Sequence, residues 1–354
     1  MRNNNVKIVF RVDGNKKIGL GHLSRCLALS HEIKRRINCD ILFLMKDSND
    51  AAKEVLKYGY KVESRFPKGL VDIFITSVPN ISQKYLAKIK ERAELVVVMD
   101  DSARTQYTAD IVVKCSLAPE LNKFSQKSKS RFLIGPDYII LDKEFQKLHL
   151  RKKKINPEVK SILITMGGSD VNNLTPKIME ALDELTDIKK TVIVGPVFEQ
   201  NEKLKPNSSY SLKHGVSNMA ELMFSSDLAI VGGGTTLYEL ACVGTPGIVL
   251  CQTDFQLLIA RCFEQKGAVV NLIPDRNLAK ETIISDVKSL IKNKEKRIGL
   301  SGNLTKEMII SNVKSLIKNK EKRKKMSSAE KKIVDGKGAV RVVDKILSVI
   351  KQYE

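Results

Sequence analysis

Three glycine-bearing segments combine residue types that can do chemistry. The first reads Arg11-Val12-Asp13-Gly14, then Ile18-Gly19-Leu20-Gly21-His22-Leu23-Ser24-Arg25-Cys26. Gly19 and Gly21 allow a tight loop whose N–H groups can approach an anion. His22 falls at or near the start of a predicted helix. The positive end of a helix disfavours imidazolium, so the ring is expected to be neutral and able to accept a proton. Asp13 could orient that ring or oppose the shift, and Arg25, one turn on, could meet a phosphate or a sugar acid group. The plainer alternative is a Gly-rich turn with a capping histidine. The chain has only 4 histidines, and one set in such a loop favours chemistry. The spacing is G-x-G-H, not the G-x-G-x-x-G of dinucleotide sites.

The second segment is Met166-Gly167-Gly168-Ser169-Asp170, where Gly168 and Ser169 could let a ligand come close, or simply turn the chain. The third is Gly232-Gly233-Gly234-Thr235-Thr236-Leu237-Tyr238-Glu239. The N–H groups of Gly233 and Gly234, the hydroxyls of Thr235 and Thr236 and a helix N-terminus make an anion cradle suited to a diphosphate. Glu239, about one turn into that helix, would repel phosphate but suits the two hydroxyls of a ribose. The alternative is a Gly-rich turn before a core helix. There is no Walker lysine, no H-E-x-x-H and no G-x-S-x-G. Asp100-Asp101 lacks a third carboxylate or histidine beside it, so a strand-end turn is the expectation and no metal site is assigned.

These loops need strand ends and helix starts to hold them, and the sequence supplies both. Compact apolar runs at Lys7–Asp13, Asp40–Met45, Val71–Ser77, Leu95–Val98, Ile111–Val113 and Arg131–Ile134 alternate with helical stretches such as Leu23–Ile37 and Gln83–Ala93. Short apolar runs separated by helices are how buried parallel strands look in sequence. A basic stretch, Phe145–Pro157, reads as a linker. The pattern then restarts with strands at Ser161–Thr165, Thr191–Gly195, Asp227–Val231 and Ile248–Cys251. The fold class is α/β, with two doubly wound halves and a cleft between them. The domains are expected at 1–150, 158–275 and, for a helical carboxyl-terminal segment, 276–354.

The last segment holds an internal repeat. Leu278–Arg297 and Leu304–Arg323 match at 17 of 20 positions, differing only at Ala279/Thr305, Thr282/Met308 and Asp286/Asn312. Each copy carries an apolar stripe at helical spacing, Ile283, Ile284, Val287, Leu290, Ile291 in one and Ile309, Ile310, Val313, Leu316, Ile317 in the other. Duplication of one amphipathic helix accounts for it. The repeat also bears on the net charge of +21 over 354 residues. Lys280 to Lys332 holds 16 Lys/Arg against 6 Asp/Glu, so nearly half of the excess lies in 53 residues. No aromatic residue lies there to stack on bases, and a solvated Lys-rich face is favoured over nucleic acid. The cysteines (Cys26, Cys39, Cys115, Cys242, Cys251, Cys262) form no C-x-x-C pair, and most read as core residues. No apolar run is long enough for a membrane span, and the cytoplasm is the expected location.

Taken in order, these motifs resemble the UDP-sugar hydrolases of the pseudaminic acid pathway, which are grouped with the spore-coat polysaccharide biosynthesis proteins. Gly135-Pro136-x-Tyr138, His214-Gly-Val-Ser-Asn-Met219 and Asp335-Gly-Lys-Gly-Ala-x-Arg341-Val complete the series. The resemblance implies a GT-B fold with UDP held mainly by the second half. It implies metal-independent, inverting cleavage of the anomeric C–O bond of UDP-2,4-diacetamido-2,4,6-trideoxy-β-L-altropyranose, releasing UDP and free sugar. Under it His22 is the base that activates water, Asp13 stands close by, backbone near Val216 with Met219 faces the uracil, and no cofactor is expected. Two positions depart from the family. Thr76-Ser77-Val78 stands where an Asp-x-Tyr segment is usual, and Phe255-Gln256 replaces an Asn-Gln pair, leaving Gln256 as the match. Both changes touch the sugar side. The competing readings are a GT-B glycosyltransferase with a UDP-sugar donor, and a non-catalytic nucleotide-sugar- or nucleic-acid-binding protein.

Overall fold

The computed structural model describes residues 5–15, 19–46, 49–100, 104–122, 125, 127–196, 198, 204, 207–272 and 304–350. The chain divides into two compact units, Met1–Lys143 with Gly336–Glu354, and Glu144–Asp335. The first repeat copy and Asp101 lie outside the described residues.

The first unit is built on strands β1 (Val6–Val12), β2 (Cys39–Leu44), β3 (Lys61–Glu63), β4 (Val71–Ser77), β5 (Ala93–Met99), β6 (Ile111–Lys114) and β7 (Arg131–Ile134). They form one parallel sheet in the order β3-β2-β1-β4-β5-β6-β7. Helices α1 (Gly21–Lys34), α2 (Asn49–Lys57) and α3 (Gln83–Lys90) connect them. The chain winds outward from β1 through β2 to β3, then returns to lay β4 on the other side of β1. That reversal opens a crevice at the carboxyl ends of β1 and β4, where open α/β sheets take ligands. Pairing of Val12 with Ser77 sets Ser77 beside the β1–α1 loop.

The second unit repeats the plan. After α4 (Lys143–His149) come β8 (Ser161–Thr165), α5 (Leu174–Leu182), β9 (Lys189–Val194), β10 (Tyr210–His214), α6 (Met219–Ser225), β11 (Leu228–Gly232), α7 (Thr235–Val243), β12 (Gly247–Leu250), α8 (Asp254–Gln265) and β13 (Val269–Asn271). The sheet is parallel in the order β10-β9-β8-β11-β12-β13. Here the reversal falls between β8 and β11, which end in the Met166–Ser169 and Gly232–Thr236 loops. Both sets of motifs singled out from the sequence therefore sit at a reversal point of their sheet.

The carboxyl end is shared between the units rather than forming one segment from 276. Helices α9 (Lys306–Lys318) and α10 (Lys320–Ile333) belong to the second unit, and α11 (Gly338–Ile350) packs on α1 in the first. The linker expected over Phe145–Pro157 begins as helix α4, because Phe145 and Leu148, spaced i,i+3, are both buried.

The second repeat copy supplies α9. Ile309, Val313 and Leu316 enter the core of the second unit, with Ile310 and Ile317 partly buried at its margin. Arg323 is fully buried yet satisfied: Nη1 donates to the carbonyls of Leu316 and Ile317 at 2.6 and 2.7 Å, and Nη2 to those of Asn156 and Pro157 at 2.6 and 2.8 Å. Thr305 caps α9 by accepting from the Met308 amide at 3.2 Å. Deleting residues 278–303 leaves this helix and its cap whole, so cooperative unfolding is expected. Deleting 298–323 instead joins the first copy to α10 and puts Ala279 at the cap, which is expected to cost about 1 kcal/mol. Equal stability of the two deletions in denaturant titrations would contradict this assignment of the cap.

Helix α10 packs against α7 and carries an acid where no water reaches it. Glu330 is fully buried, with no hydrogen-bond partner at either carboxyl oxygen. Burial pushes its carboxyl well above the usual range, opposed only in part by the Lys153 charge. Burial in turn pushes Lys153 down to about 8. With the folded value of Glu330 raised, the folded protein keeps a proton that the unfolded chain has released. Its contribution is present below the unfolded value and is lost as pH rises through the folded one. Glu330→Gln should raise Tm near about pH 8 and leave it unchanged near about pH 4. A lower Tm for the variant at the higher pH would refute the sign.

Candidate active site

In the first unit, β1 delivers Asp13 to the sheet's carboxyl edge. Asp13 is buried and paired: its two carboxylate oxygens take the Arg11 guanidinium at 2.5 and 2.6 Å, and Oδ1 also accepts from the Lys46 amide at 2.8 Å. The loop closes where the Gly19 amide donates to Asn15 at 2.7 Å, with Gly19 at a φ of +74°. Gly21 begins α1, and His22 is its second residue. That agrees with a histidine at a helix start. No acidic side chain lies in that first turn.

The partners of His22 come from α1 and β4. Its Nδ1 lies 2.8 Å from Ser77 Oγ and 3.0 Å from Arg25 Nη2. Arg25 is buried and turned inward, reaching Ser77 Oγ at 3.5 Å and Cys115 Sγ at 3.8 Å. Ser77 is also buried, and it occupies the stretch where the family's Asp-x-Tyr segment is missing. The sequence reading gave it no role, although its place at the end of the strand next to β1 was a usable signal. Further along the same edge, Asp100 Oδ2 accepts from the Tyr107 hydroxyl at 2.8 Å.

In the second unit four strand ends converge. The space above Gly195 is closed by backbone: a Cβ there would stand 2.4 Å from the carbonyl oxygens of both Gly167 and Gly168. A Cβ on Gly233 would stand 2.8 Å from Cys251 Sγ and 2.9 Å from Gln256 Cβ. Gly167, at a φ of +85°, lies against the Thr236 hydroxyl. Gly168, Ser169, Gly233, Gly234, Thr236 and Gln256 are thus gathered at one place. Thr235 opens α7 with Gly234 at its N-cap, and Glu239 follows one turn later, half-buried.

Gln252, which the sequence reading passed over, ties this edge together. Its Nε2 donates to the carbonyls of Met166 at 3.2 Å and Ser169 at 3.4 Å, and its amide donates to Gln256 Oε1 at 2.8 Å. Asp170 caps α5, its carboxylate accepting from the amides of Leu174 at 2.9 Å and Thr175 at 2.6 Å. Met219 opens α6, which packs beside α7, and Val216 lies half-buried in the loop before it. Burial pushes the thiols of Cys26 and Cys242 up to about 12, so both serve as packing groups. Among the described residues, no helix is long and apolar enough to cross a membrane.

Two parallel α/β units of this kind define the GT-B fold. The chain matches Acinetobacter baumannii MurG with a TM-score of 0.61 at 13% identity, over 98% of this chain and 100% of that one. It matches the glycosyltransferase of kitacinnamycin with a TM-score of 0.63 at 13% identity, over 97% and 99%. The sequence model of the lipid-A-disaccharide synthetase family matches residues 136–335, and the chain belongs to that enzyme family. An uncharacterized protein of Methanocaldococcus jannaschii is 30% identical over 71% of this chain, which spans 57% of that protein. The spore coat polysaccharide biosynthesis protein SpsG of Bacillus subtilis is 26% identical over 81% of this chain and 90% of its own length. A Helicobacter pylori protein, pseudaminic acid cytidylyltransferase and UDP-2,4-diacetamido-2,4,6-trideoxy-β-L-altropyranose hydrolase, is 27% identical over 70% of this chain, which spans 45% of it.

Proposed function

We propose that this chain binds a UDP-activated amino-deoxy sugar and transfers its anomeric carbon to water, for nonulosonic acid or surface polysaccharide synthesis. The observation that carries the reading is the gathering of Gly168, Gly233, Gly234, Thr236 and Gln256 at the β8/β11 reversal. In this reading the cradle amides, the hydroxyls of Thr235 and Thr236 and the N-terminus of α7 hold the diphosphate. Glu239 takes the ribose hydroxyls, and Val216 and Met219 lie against the base. Water attacks the anomeric carbon, the C–O bond to UDP breaks, and the electron pair leaves on the diphosphate oxygen. The cradle meets the charge that develops there, so no metal is required. His22 takes the proton of the attacking water.

The hydrolase name of the Helicobacter relative and the site motifs support hydrolysis. The synthetase family match and the transferase structures support a second reading, transfer to a sugar or lipid acceptor. The two separate on acceptor dependence. Calorimetry with UDP tests the part they share. Wild type is expected to bind, and Gly233→Val, whose side chain collides with Cys251 and Gln256, is expected to lose binding. Equal affinity of the two proteins would contradict a cradle at Gly233.

A further inference from the structure

The hydrogen bonds around His22 locate its proton. A guanidinium has N–H donors and no acceptor, and a serine hydroxyl can give or receive. Arg25 Nη2 stands 3.0 Å from Nδ1, so Nδ1 must offer it a lone pair. Ser77 Oγ, 2.8 Å from the same nitrogen, can share that lone pair as a second donor or accept from a protonated Nδ1. A neutral imidazole carries one proton, and here that proton belongs on Nε2. The positive charge of Arg25 and the N-terminal end of α1 both oppose a second one.

This has a chemical consequence. With its proton on Nε2 the ring is a donor at that nitrogen, and a base acting through Nε2 needs the opposite tautomer. We propose that Arg25 and Ser77 are positioning residues that select the tautomer of His22. In the substrate-free protein Arg25 keeps the proton on Nε2. The ring becomes a base at Nε2 when Nδ1 carries the proton and donates it to Ser77 Oγ.

The neighbouring groups suit such an exchange. Arg25 Nη2 already reaches Ser77 Oγ at 3.5 Å and Nη1 reaches Cys115 Sγ at 3.8 Å, so the guanidinium keeps acceptors when it leaves Nδ1. The serine oxygen has two lone pairs, one for Nδ1–H and one for Arg25. The protons balance: Nε2 releases one to solvent, Nδ1 gains one from solvent, and the lone pair then on Nε2 takes the proton of the attacking water. Ser77 thus takes a place in the site at the stretch where the family's tyrosine is absent. The role in catalysis rests on His22 being the base, whereas the tautomer does not.

The test is a 15N spectrum of the full chain labelled at histidine, recorded at about pH 8.5, well above the ordinary imidazole value. A His22→Gln variant identifies the ring's signals. The expected result is a pyridine-like Nδ1 and a pyrrole-like Nε2, with Arg25→Met moving the proton toward Nδ1. A pyrrole-like Nδ1 in the wild type would overturn the proposal, and that spectrum decides alone if Arg25→Met does not fold. In turnover, Ser77→Ala should lower kcat by about 10-fold or more at unchanged KM, with Ser77→Thr restoring it. An unchanged kcat in Ser77→Ala would remove Ser77 from the mechanism. Should no UDP-sugar be turned over at all, the proposed function fails while the spectra still decide the tautomer.

Discussion

Replacement of His22 by alanine is expected to slow UDP release by well over ~100-fold, the usual scale for loss of a positioned general base. The side chain is half-buried at the start of α1 and does not fill the core, so the variant should fold with a near-native Tm. KM should change little, since the nucleotide is held by the other unit's residues in the proposed reading. Asp13 makes the useful contrast. Its carboxylate is committed to Arg11 and the Lys46 amide, which leaves it a structural task in the loop. Asp13→Asn would leave the buried guanidinium poorly matched, and breaking such a pair costs roughly 3–5 kcal/mol. The expected pattern is a rate loss without destabilisation for His22 and a larger stability loss for Asp13. Near-wild-type turnover in His22→Ala would reassign the base.

Gly195→Ala is expected to be the most damaging single methyl in the second unit. Its Cβ would stand 2.4 Å from two carbonyl oxygens, and backbone cannot swing aside as a side chain can. Relief requires moving the Gly167–Gly168 turn, which Gln252 holds through Met166 and Ser169. Overpacking of this kind costs about 1–3 kcal/mol or more. Because that turn lies against Thr236, UDP affinity should fall together with Tm. Gly267→Ala is the control, since its Cβ would meet nothing within 4 Å, although the positive φ of +68° adds strain of its own. A Gly195→Ala protein with native Tm and native UDP affinity would show that the turn is not part of the binding edge.

Much of this was legible in the sequence for definite reasons. The central strands are largely apolar because both faces are covered, and β1, β8 and β11 end at glycine-bearing loops that lead to helices. The strands the apolar-run criterion missed, β3, β10 and β13, are all edges. Their residues are largely half-buried or exposed, as at Lys61–Glu63 and Tyr210–His214, so no apolar run marks them. The glycine turns at Met166–Ser169 and Gly232–Thr236 could be placed because glycines and threonines there follow an apolar run and precede a helical one. Gly195 and Gln252 could not, because each acts through a neighbour distant in the chain, and Ser77 is marked only by its place at the end of the strand beside β1. Arg25 shows the limit from the other side. Its type suggests a contact to a phosphate or a sugar acid group, and its place on the buried face of α1 turns it to His22. The Lys-rich repeat carries a disproportionate share of the charge, yet what places its second copy is a stripe of Ile309, Val313 and Leu316 together with one buried arginine.

The most direct test of the whole account is product formation from UDP-2,4-diacetamido-2,4,6-trideoxy-β-L-altropyranose and from UDP-N-acetylglucosamine, followed by NMR with the folded protein in water alone. Release of UDP together with free sugar is expected from at least one UDP-amino sugar, with no acceptor added. UDP that appears only after a sugar or lipid acceptor is supplied would contradict hydrolysis in favour of transfer, and no release under either condition would contradict the UDP-sugar reading itself.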